Sequence, residues 1–207
     1  MNAFVQQLGE RIKGYWDLES IEEEEQLERD ILQYANTDPG SFRQDMDEVM
    51  FDKDLDPLPV VMEPLSQEPE TWGPFFIHVL DRIFDEAAKM PRPMDRLDKL
   101  IEFSVLEEVN SPFIQRIADR FYKETSSDIL DIKLAATWYL PAFIANPSVR
   151  NKSTLTTALQ QQLYDPKWEV RNVTYRSLKS GNLLPDGYKP PFMDRIRKFF
   201  LKEPPVM

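Results

Sequence analysis

Four carboxylates near the end of the first quarter of the chain are spaced as metal ligands would be. In a window that begins at residue 52, positions 1, 3, 5 and 12 are acidic, which is the ligand spacing of a helix–loop–helix calcium site; the four are Asp52, Asp54, Asp56 and Glu63. Position 6 of such a loop requires glycine for a sharp turn with positive φ, but Pro57 occupies it here. We therefore predict an acidic loop and no metal site.

Side chains that act as nucleophiles or general bases are scarce. The chain contains no Cys and a single His, so thiolate chemistry and multi-histidine metal sites are excluded. His78 lies in an apolar helical pattern without a second His or Cys to assist it, so we predict a packed or half-exposed histidine and not a general base. No serine stands in a G-x-S-x-G motif, and the six Gly form no phosphate-binding pattern. The sequence predicts no enzyme, no catalytic residue and no cofactor.

Charge is distributed unevenly along the chain. The net charge of the 207 residues is −11; residues 1–75 carry 19 acidic and 5 basic side chains, whereas residues 148–207 carry 5 acidic and 11 basic ones. An acidic N-terminal part repels phosphates, which argues against a nucleic acid as the partner. Both ends are interpreted as solvated surfaces, with the alternative that they neutralise each other in the fold or in a dimer.

Neither end of the sequence predicts a membrane segment. The first residues include Glu10 and Arg11 and lack the apolar run of a secretory signal. No stretch approaches the roughly 18–20 apolar residues of a spanning helix. The basic amphipathic segment at residues 192–202 is predicted to cap the preceding helices, with contact to an anionic membrane surface as the less favoured alternative. We predict a cytoplasmic protein.

Apolar residues recur with helical periodicity along most of the chain. The clearest stripe runs from Phe75 to Ala87. Ser20 and Glu23 have the spacing of a capping box, Ser41 is predicted to cap a later helix, and Gly181 to end one in the left-handed conformation. No segment alternates polar and apolar residues as a half-buried strand would. The sequence therefore predicts an all-α protein.

Prolines divide this helical pattern. Five of them fall between residues 54 and 74 and predict an extended, mostly irregular connection. It would separate an acidic helical part, residues 1–53, from a longer helical part, residues 75–207. The alternative is one compact domain.

Residues 155–178 carry a helix-pair signature. They read L-x3-L-x3-L-x-D-P-x3-V-R-x6-L, in which Asp165 and Pro166 form a turn and Arg171 can pair with an Asp of a neighbouring turn. Residues 146–150, N-P-S-V-R, partly repeat this turn. The pattern resembles a HEAT repeat. The resemblance implies an α-α superhelix of stacked helix pairs in the C-terminal two thirds, beside an irregular helical N-terminal part; the alternative is an irregular helical bundle.

Aromatic and arginine side chains, which dominate binding hot spots, concentrate in the repeat-like part. Our candidate binding residues are Trp138, Arg150, Trp168, Arg171 and Tyr175. They favour a non-enzymatic scaffold or adaptor that binds a protein in a helical-repeat groove. One alternative is an acidic inhibitor or immunity-type protein that covers a basic nuclease with residues 1–75. The other, implied by the HEAT resemblance, is a DNA alkylation-repair glycosylase, against which the overall acidity argues.

Overall fold

All regular secondary structure is helical in the part of the chain that the structure, a computed structural model, describes: residues 3–51, 58–65, 68–89, 93–102 and 113–200. These ranges contain eleven α-helices and one 3₁₀ helix, and no β-strand. The predicted all-α class is confirmed. The chain divides into two compact units, unit 1 (Met1–Glu107) and unit 2 (Glu108–Met207). No helix in the described ranges is both long enough and apolar enough to cross a bilayer.

Unit 1 is a bundle of short and medium helices. Its elements are α1 (Ala3–Lys13), the 3₁₀ helix Tyr15–Asp17, α2 (Ile21–Thr37), α3 (Pro39–Met50), α4 (Leu58–Leu65), α5 (Pro69–Glu86) and α6 (Pro93–Glu102). Helix α2 packs against α1, α3 and α4, and α6 packs against α4 and α5. In the core, the buried ring of Phe42 lies edge-on to Trp72 and Phe75, at centroid distances of 5.2 and 6.0 Å. These rings join α3 to α5.

Side-chain caps begin α2 and α3. Ser20 Oγ accepts a hydrogen bond from the Glu23 amide at 3.3 Å, so the predicted cap of α2 is present. At α3 the prediction was wrong: Asp38 Oδ1 accepts from the Ser41 amide at 3.1 Å, and Pro39 is the first helical residue. Proline suits this position because its missing N–H would have no partner within the first turn, and Asp caps as well as Ser.

The proline-rich stretch is more helical than the irregular connection that we predicted. It contains α4 and the first turn of α5. Pro69 begins α5, where no amide donor is needed, whereas Pro64 and Pro74 each remove one helical hydrogen bond. The apolar side chains of α4 offset this loss, because Val60, Val61, Met62 and Leu65 are buried.

Unit 2 arranges its helices around α8. Its elements are α7 (Ile114–Glu124), α8 (Leu130–Ala145), α9 (Lys152–Gln162), α10 (Trp168–Ser180) and α11 (Phe192–Phe200). Helix α8 packs against α7, α9 and α10, and α9 also packs against α10. The apolar positions of the repeat-like pattern face this interior: Leu155, Leu159, Leu163, Val170 and Leu178 are buried.

The turns that precede α8, α9 and α10 share one construction. In each, a side-chain oxygen accepts a hydrogen bond from the amide two residues later; the pairs are Ser127–Ile129 at 3.3 Å, Asn146–Ser148 at 2.9 Å and Asp165–Lys167 at 2.8 Å. Such side chains stabilise turns by satisfying an amide that no helix can pair. The three oxygen acceptors are 19 residues apart. The acceptors recur at a constant interval, whereas the helices that follow them differ in length, with 16, 11 and 13 residues in α8, α9 and α10.

Helix α10 ends in a left-handed residue that is not the predicted glycine. Gly181 has φ −81°, whereas Asn182 has φ 54°. The Leu183 amide donates to the Leu178 carbonyl at 2.8 Å, the bond of a Schellman motif in which the intervening left-handed position is Asn182. Asparagine tolerates this conformation because its short polar side chain can bond locally. Gly181 instead provides space, since a Cβ there would lie 3.2 Å from the Cβ of Pro141.

Candidate functional site

A groove opens between α10, the loop that follows it and α11. Its volume is about 190 Å³. The lining residues are Arg171, Asn172, Tyr175, Tyr188, Pro190, Asp194 and Arg195. We call it the C-terminal groove. Two of the five candidate binding residues, Arg171 and Tyr175, therefore meet in one site.

Arg171 lines one side of the C-terminal groove and forms hydrogen bonds to two other segments of the chain. Its Nε and Nη2 donate to the two carboxylate oxygens of Asp194 at 2.7 and 2.6 Å. Its Nη1 donates to the carbonyl oxygens of Asp165 and Pro166 at 2.6 and 2.9 Å. Bidentate pairs of this kind are strong and geometrically specific. Arg171 therefore connects the turn before α10 to α11, and its guanidinium is already occupied.

Lys133 of α8 adds a second ion pair at the same turn. Its Nζ lies 2.5 Å from Oδ2 of Asp165. Burial raises the pKa of Asp165, but the hydrogen bonds from Lys133 and from the Lys167 amide outweigh it, so the pKa lies below its usual range. The hydrogen bonds and the charge of Arg171 likewise lower the pKa of Asp194. Both carboxylates are ionised at neutral pH, which keeps α8, α10 and α11 linked through charge.

Two tyrosines, Tyr175 and Tyr188, form the aromatic side of the groove, and Tyr164 lies next to Tyr188. The ring of Tyr188 lies 6.3 Å from that of Tyr175 and 6.1 Å from that of Tyr164. Its hydroxyl donates to the carbonyl oxygen of Leu163 at 3.4 Å. Burial, followed by the neighbouring Tyr164 and Asp194, raises the pKa of Tyr188, so the hydroxyl remains a donor. Amphipathic rings of this type offer a large contact area and lose little conformational entropy on binding.

Large apolar side chains at the rim of the groove face solvent. Tyr164 is 75% exposed, Phe192 65% and Met193 58%. The guanidinium carbon of Arg195 lies 5.7 Å from the centroid of the Phe192 ring, within cation–π range. Clustered exposure of aromatic residues beside an arginine is typical of binding surfaces. The rim thus combines apolar area with positive charge.

The other three candidate binding residues lie outside the groove lining. Trp138 of α8 is half-buried, with the guanidinium carbon of Arg176 5.8 Å from its ring centroid. Trp168 is the first residue of α10 and is also half-buried. Arg150 is exposed, and its amide donates to Oε1 of Gln115 at 2.8 Å. These side chains do not share one site with the groove.

Sequence reasoning missed Tyr164, Tyr188 and Asp194. Tyr188 lies in the loop between α10 and α11, where no periodicity marks a residue as buried or exposed. Asp194 lies in a mainly basic terminal segment, and nothing in that segment marks it as the partner of Arg171. One feature of the sequence could have indicated Tyr164. This tyrosine directly precedes the Asp165–Pro166 turn and is close in sequence to Trp168, a predicted binding residue.

Unit 1 has a separate cleft of about 500 Å³ between α3 and α5. In it, Nε2 of His78 lies 3.1 Å from Oδ1 of Asp47, and Nη1 of Arg82 donates to Oδ2 of Asp47 at 2.5 Å. The His78 ring stacks on Phe75 at 6.4 Å. An Asp–His pair activates a nucleophile in hydrolases, but no Ser or Thr is among the described residues that line this cleft.

Within the described residues, no three carboxylate or imidazole groups converge as a metal site would require. Of the acidic loop that we predicted, Asp52, Asp54 and Asp56 lie outside the described residues, and Glu63 is exposed on α4.

Comparison with protein-family models, with curated proteins and with solved structures finds no match to this chain.

Proposed function

We propose that this chain is a non-enzymatic protein-binding scaffold or adaptor whose C-terminal groove holds part of a partner protein. The observation that carries the proposal is the exposed rim of the groove, where Phe192 lies beside Arg195 and Tyr164 lies beside Tyr188. Burying such side chains against a partner removes apolar area from water at about 25 cal/mol per Å². Exposed aromatic and arginine side chains are the residues that most often supply binding energy.

The dimensions of the groove favour a protein segment over a small molecule. Its volume of about 190 Å³ lies below the roughly 300–1,000 Å³ of sites that enclose small ligands. A groove of this size accommodates one inserted side chain, while the surrounding rim contacts neighbouring residues of the same partner. Arg171 and Asp194 neutralise each other, so Arg195 is the charge that the groove offers to an acidic or polar group.

Two stacked, HEAT-like helix pairs, α7–α8 and α9–α10, are our interpretation of unit 2. Three features support it. Helix α8 packs on α10 as well as on α7, and the acceptor residues of the turns recur every 19 residues. In addition, a basic side chain on the second helix of each pair forms an ion pair with an acidic residue that lies later in the chain. Lys133 of α8 pairs with Asp165, and Arg171 of α10 pairs with Asp194. In a superhelix of this kind each pair contacts its neighbours, and α11 would cap the last one.

A photo-reactive amino acid at position 164 tests the proposal. Tyr164 is at the groove rim, whereas Tyr122 is a partly exposed tyrosine on α7 of the same unit and serves as the control position. In cells of the source organism, irradiation should yield a covalent adduct to a specific protein from position 164 and not from position 122.

The groove itself is then tested with the substitution Tyr188→Ala in the position-164 protein. We expect the adduct to decrease at least about tenfold, because a central aromatic contact is lost. The partner identified in this way is purified, and its Kd for the wild-type chain is measured. No adduct at position 164, or equal adducts at positions 164 and 122, would show that the groove does not bind protein.

A further inference from the structure

Unit 1 exposes two large apolar residues in its most acidic region. Trp16 of the 3₁₀ helix is 67% exposed, and Ile21, the first residue of α2, is 70% exposed. The Trp16 ring packs edge-on against Tyr15, at a centroid distance of 5.1 Å. Tyr15 is half-buried, and its hydroxyl lies within the electrostatic influence of carboxylates from α2 and α4. We call the surface formed by Trp16, Ile21, Glu24, Glu28 and Glu63 the acidic face.

Carboxylates from two helices converge on the acidic face. Burial and then the charges of Glu24, Glu63 and Glu28 raise the pKa of Tyr15. Helix α2 packs against α4, on which Glu63 is exposed. Burial, and then the charges of Glu28 and Glu24, raise the pKa of Glu63, as expected where like charges lie near one another. Repulsion of this kind is relieved when a positively charged surface binds, so the face is complementary to a basic one.

The same chain carries a basic surface with apolar residues of matching size. In α11, Phe192 and Met193 are exposed, and so are Arg195 and Arg197. We call these four residues the basic face. It continues the rim of the C-terminal groove, and the sequence around it, residues 148–207, has 11 basic and 5 acidic side chains. The acidic face lies in residues 1–75, with 19 acidic and 5 basic side chains.

We propose that the acidic face of one copy of this chain docks on the basic face of a second copy, with Trp16 and Phe192 as the apolar anchors of the contact. The proposal rests on the proposed function, because the basic face borders the C-terminal groove. A second copy of the chain is then one occupant of that surface.

Charge selects this pairing over a symmetric one. Two copies that met through their acidic faces would bring like charges together at the contact, whereas an acidic face against a basic face brings opposite charges together. Pairing of unlike faces is heterologous, so each added copy leaves one acidic and one basic face unfilled. Assembly therefore proceeds beyond a dimer unless two copies exchange both faces reciprocally or several copies close into a ring.

Salt dependence is the first test. The molar mass of the full chain is measured by light scattering in about 0.01 M and about 1 M salt, where the Debye length is roughly 30 and 3 Å. At low salt we expect species heavier than the 24.3 kDa chain, whose abundance increases with protein concentration. At high salt we expect the monomer. A monomer at low salt throughout the concentration range overturns the proposal.

A mixing experiment tests the heterologous geometry. Trp16→Ala and Phe192→Ala each remove one face, so each variant alone should self-associate at least about tenfold more weakly than the wild type. A mixture of the two retains one intact face of each kind. It should give a complex of two chains, twice 24.3 kDa, and nothing larger. Tyr122→Ala, a change on a partly exposed tyrosine outside both faces, should assemble like the wild type.

The outcomes separate this inference from the proposed function. A mixture that stays monomeric shows that the two faces do not bind each other, even if position 164 still forms an adduct with another protein. Conversely, a two-chain complex in the mixture supports self-association even where no foreign adduct forms. Circular dichroism of each variant verifies that it is folded, and Trp16→Phe provides a milder replacement if the alanine variant is not.

Discussion

The guanidinium of Arg171 and the carboxylate of Asp194 face each other fork to fork, with N···O distances of 2.7 and 2.6 Å. Because 23 residues separate them in sequence, this pair attaches α11 to α10. The remaining guanidinium nitrogen binds the carbonyls of the preceding turn. One side chain thus connects α11, α10 and the turn that precedes α10.

Replacing Arg171 should therefore reduce stability. Arg171→Met leaves a largely buried Asp194 carboxylate without its donors, and we expect a loss of roughly 1–3 kcal/mol in the free energy of unfolding. Arg171→Lys keeps the charge but not the bidentate geometry, so its loss should be intermediate. Urea denaturation followed by circular dichroism measures both. Arg150→Met, at an exposed position, is the matched control and should lie within about 0.5 kcal/mol of the wild type.

Low pH should lower the stability of the part of unit 2 that the ion pairs of Asp165 and Asp194 hold together. The pKa values of Asp165 and Asp194 are lowered in the folded chain, so their stabilising effect is present above the unfolded pKa of about 3.9 and is lost as the pH falls through the folded values. We expect the melting temperature to fall below about pH 4, and less steeply in Asp194→Asn. Carboxyl NMR titration gives the pKa directly. A pKa for Asp194 at or above its ordinary value would contradict the pairing.

The left-handed residue after α10 predicts opposite effects for two small substitutions. Asn182 has φ 54°, a conformation that costs an ordinary residue roughly 1–2 kcal/mol and costs glycine almost nothing. Asn182→Ala should lower the free energy of unfolding by about 1 kcal/mol, whereas Asn182→Gly should match or exceed the wild type. Thermal melts of the two variants side by side decide the matter, and an alanine variant as stable as the glycine variant would refute it.

In unit 1, the hydroxyl of Tyr34 donates to Oδ2 of Asp45 at 2.6 Å and joins α2 to α3. Burial, together with this hydrogen bond and the Asp45 charge, raises the pKa of Tyr34, so the bond persists into alkaline solution. Tyr34→Phe should cost roughly 1.5–3 kcal/mol, because it removes the donor of a charge-assisted bond. Tyr122→Phe is the control. The absorbance titration of Tyr34→Phe, subtracted from that of the wild type, isolates Tyr34; an ordinary tyrosine pKa in this difference would contradict the account.

Local sequence determined most of the helices but not all of their ends. The stripe from Phe75 to Ala87 predicts α5 because its apolar residues recur at helical spacing and are buried. The choice between Asp38 and Ser41 as a cap could not be made from sequence, since both are good caps and the outcome depends on where Pro39 fits. Similarly, buried residues of α4 override the prolines that suggested an irregular segment.

The candidate site was predictable only in part, for a physical reason. Arg171 and Tyr175 belong to one helix, and their residue types suggested binding. The partner that neutralises Arg171 lies on another helix, and a loop supplies Tyr188. Contacts between elements depend on how α11 packs against α10, which periodicity within either helix does not encode.

Turns that recur at a constant interval allow a chain to change length by whole modules. Because Ser127, Asn146 and Asp165 each provide the same kind of acceptor, a duplication or deletion that spans two intervals would rejoin equivalent turn residues. Longer or shorter descendants of unit 2 could therefore evolve without redesign of the joints. Such descendants would also need an acidic residue after their last repeated helix, because Asp194 pairs with Arg171 as Asp165 pairs with Lys133.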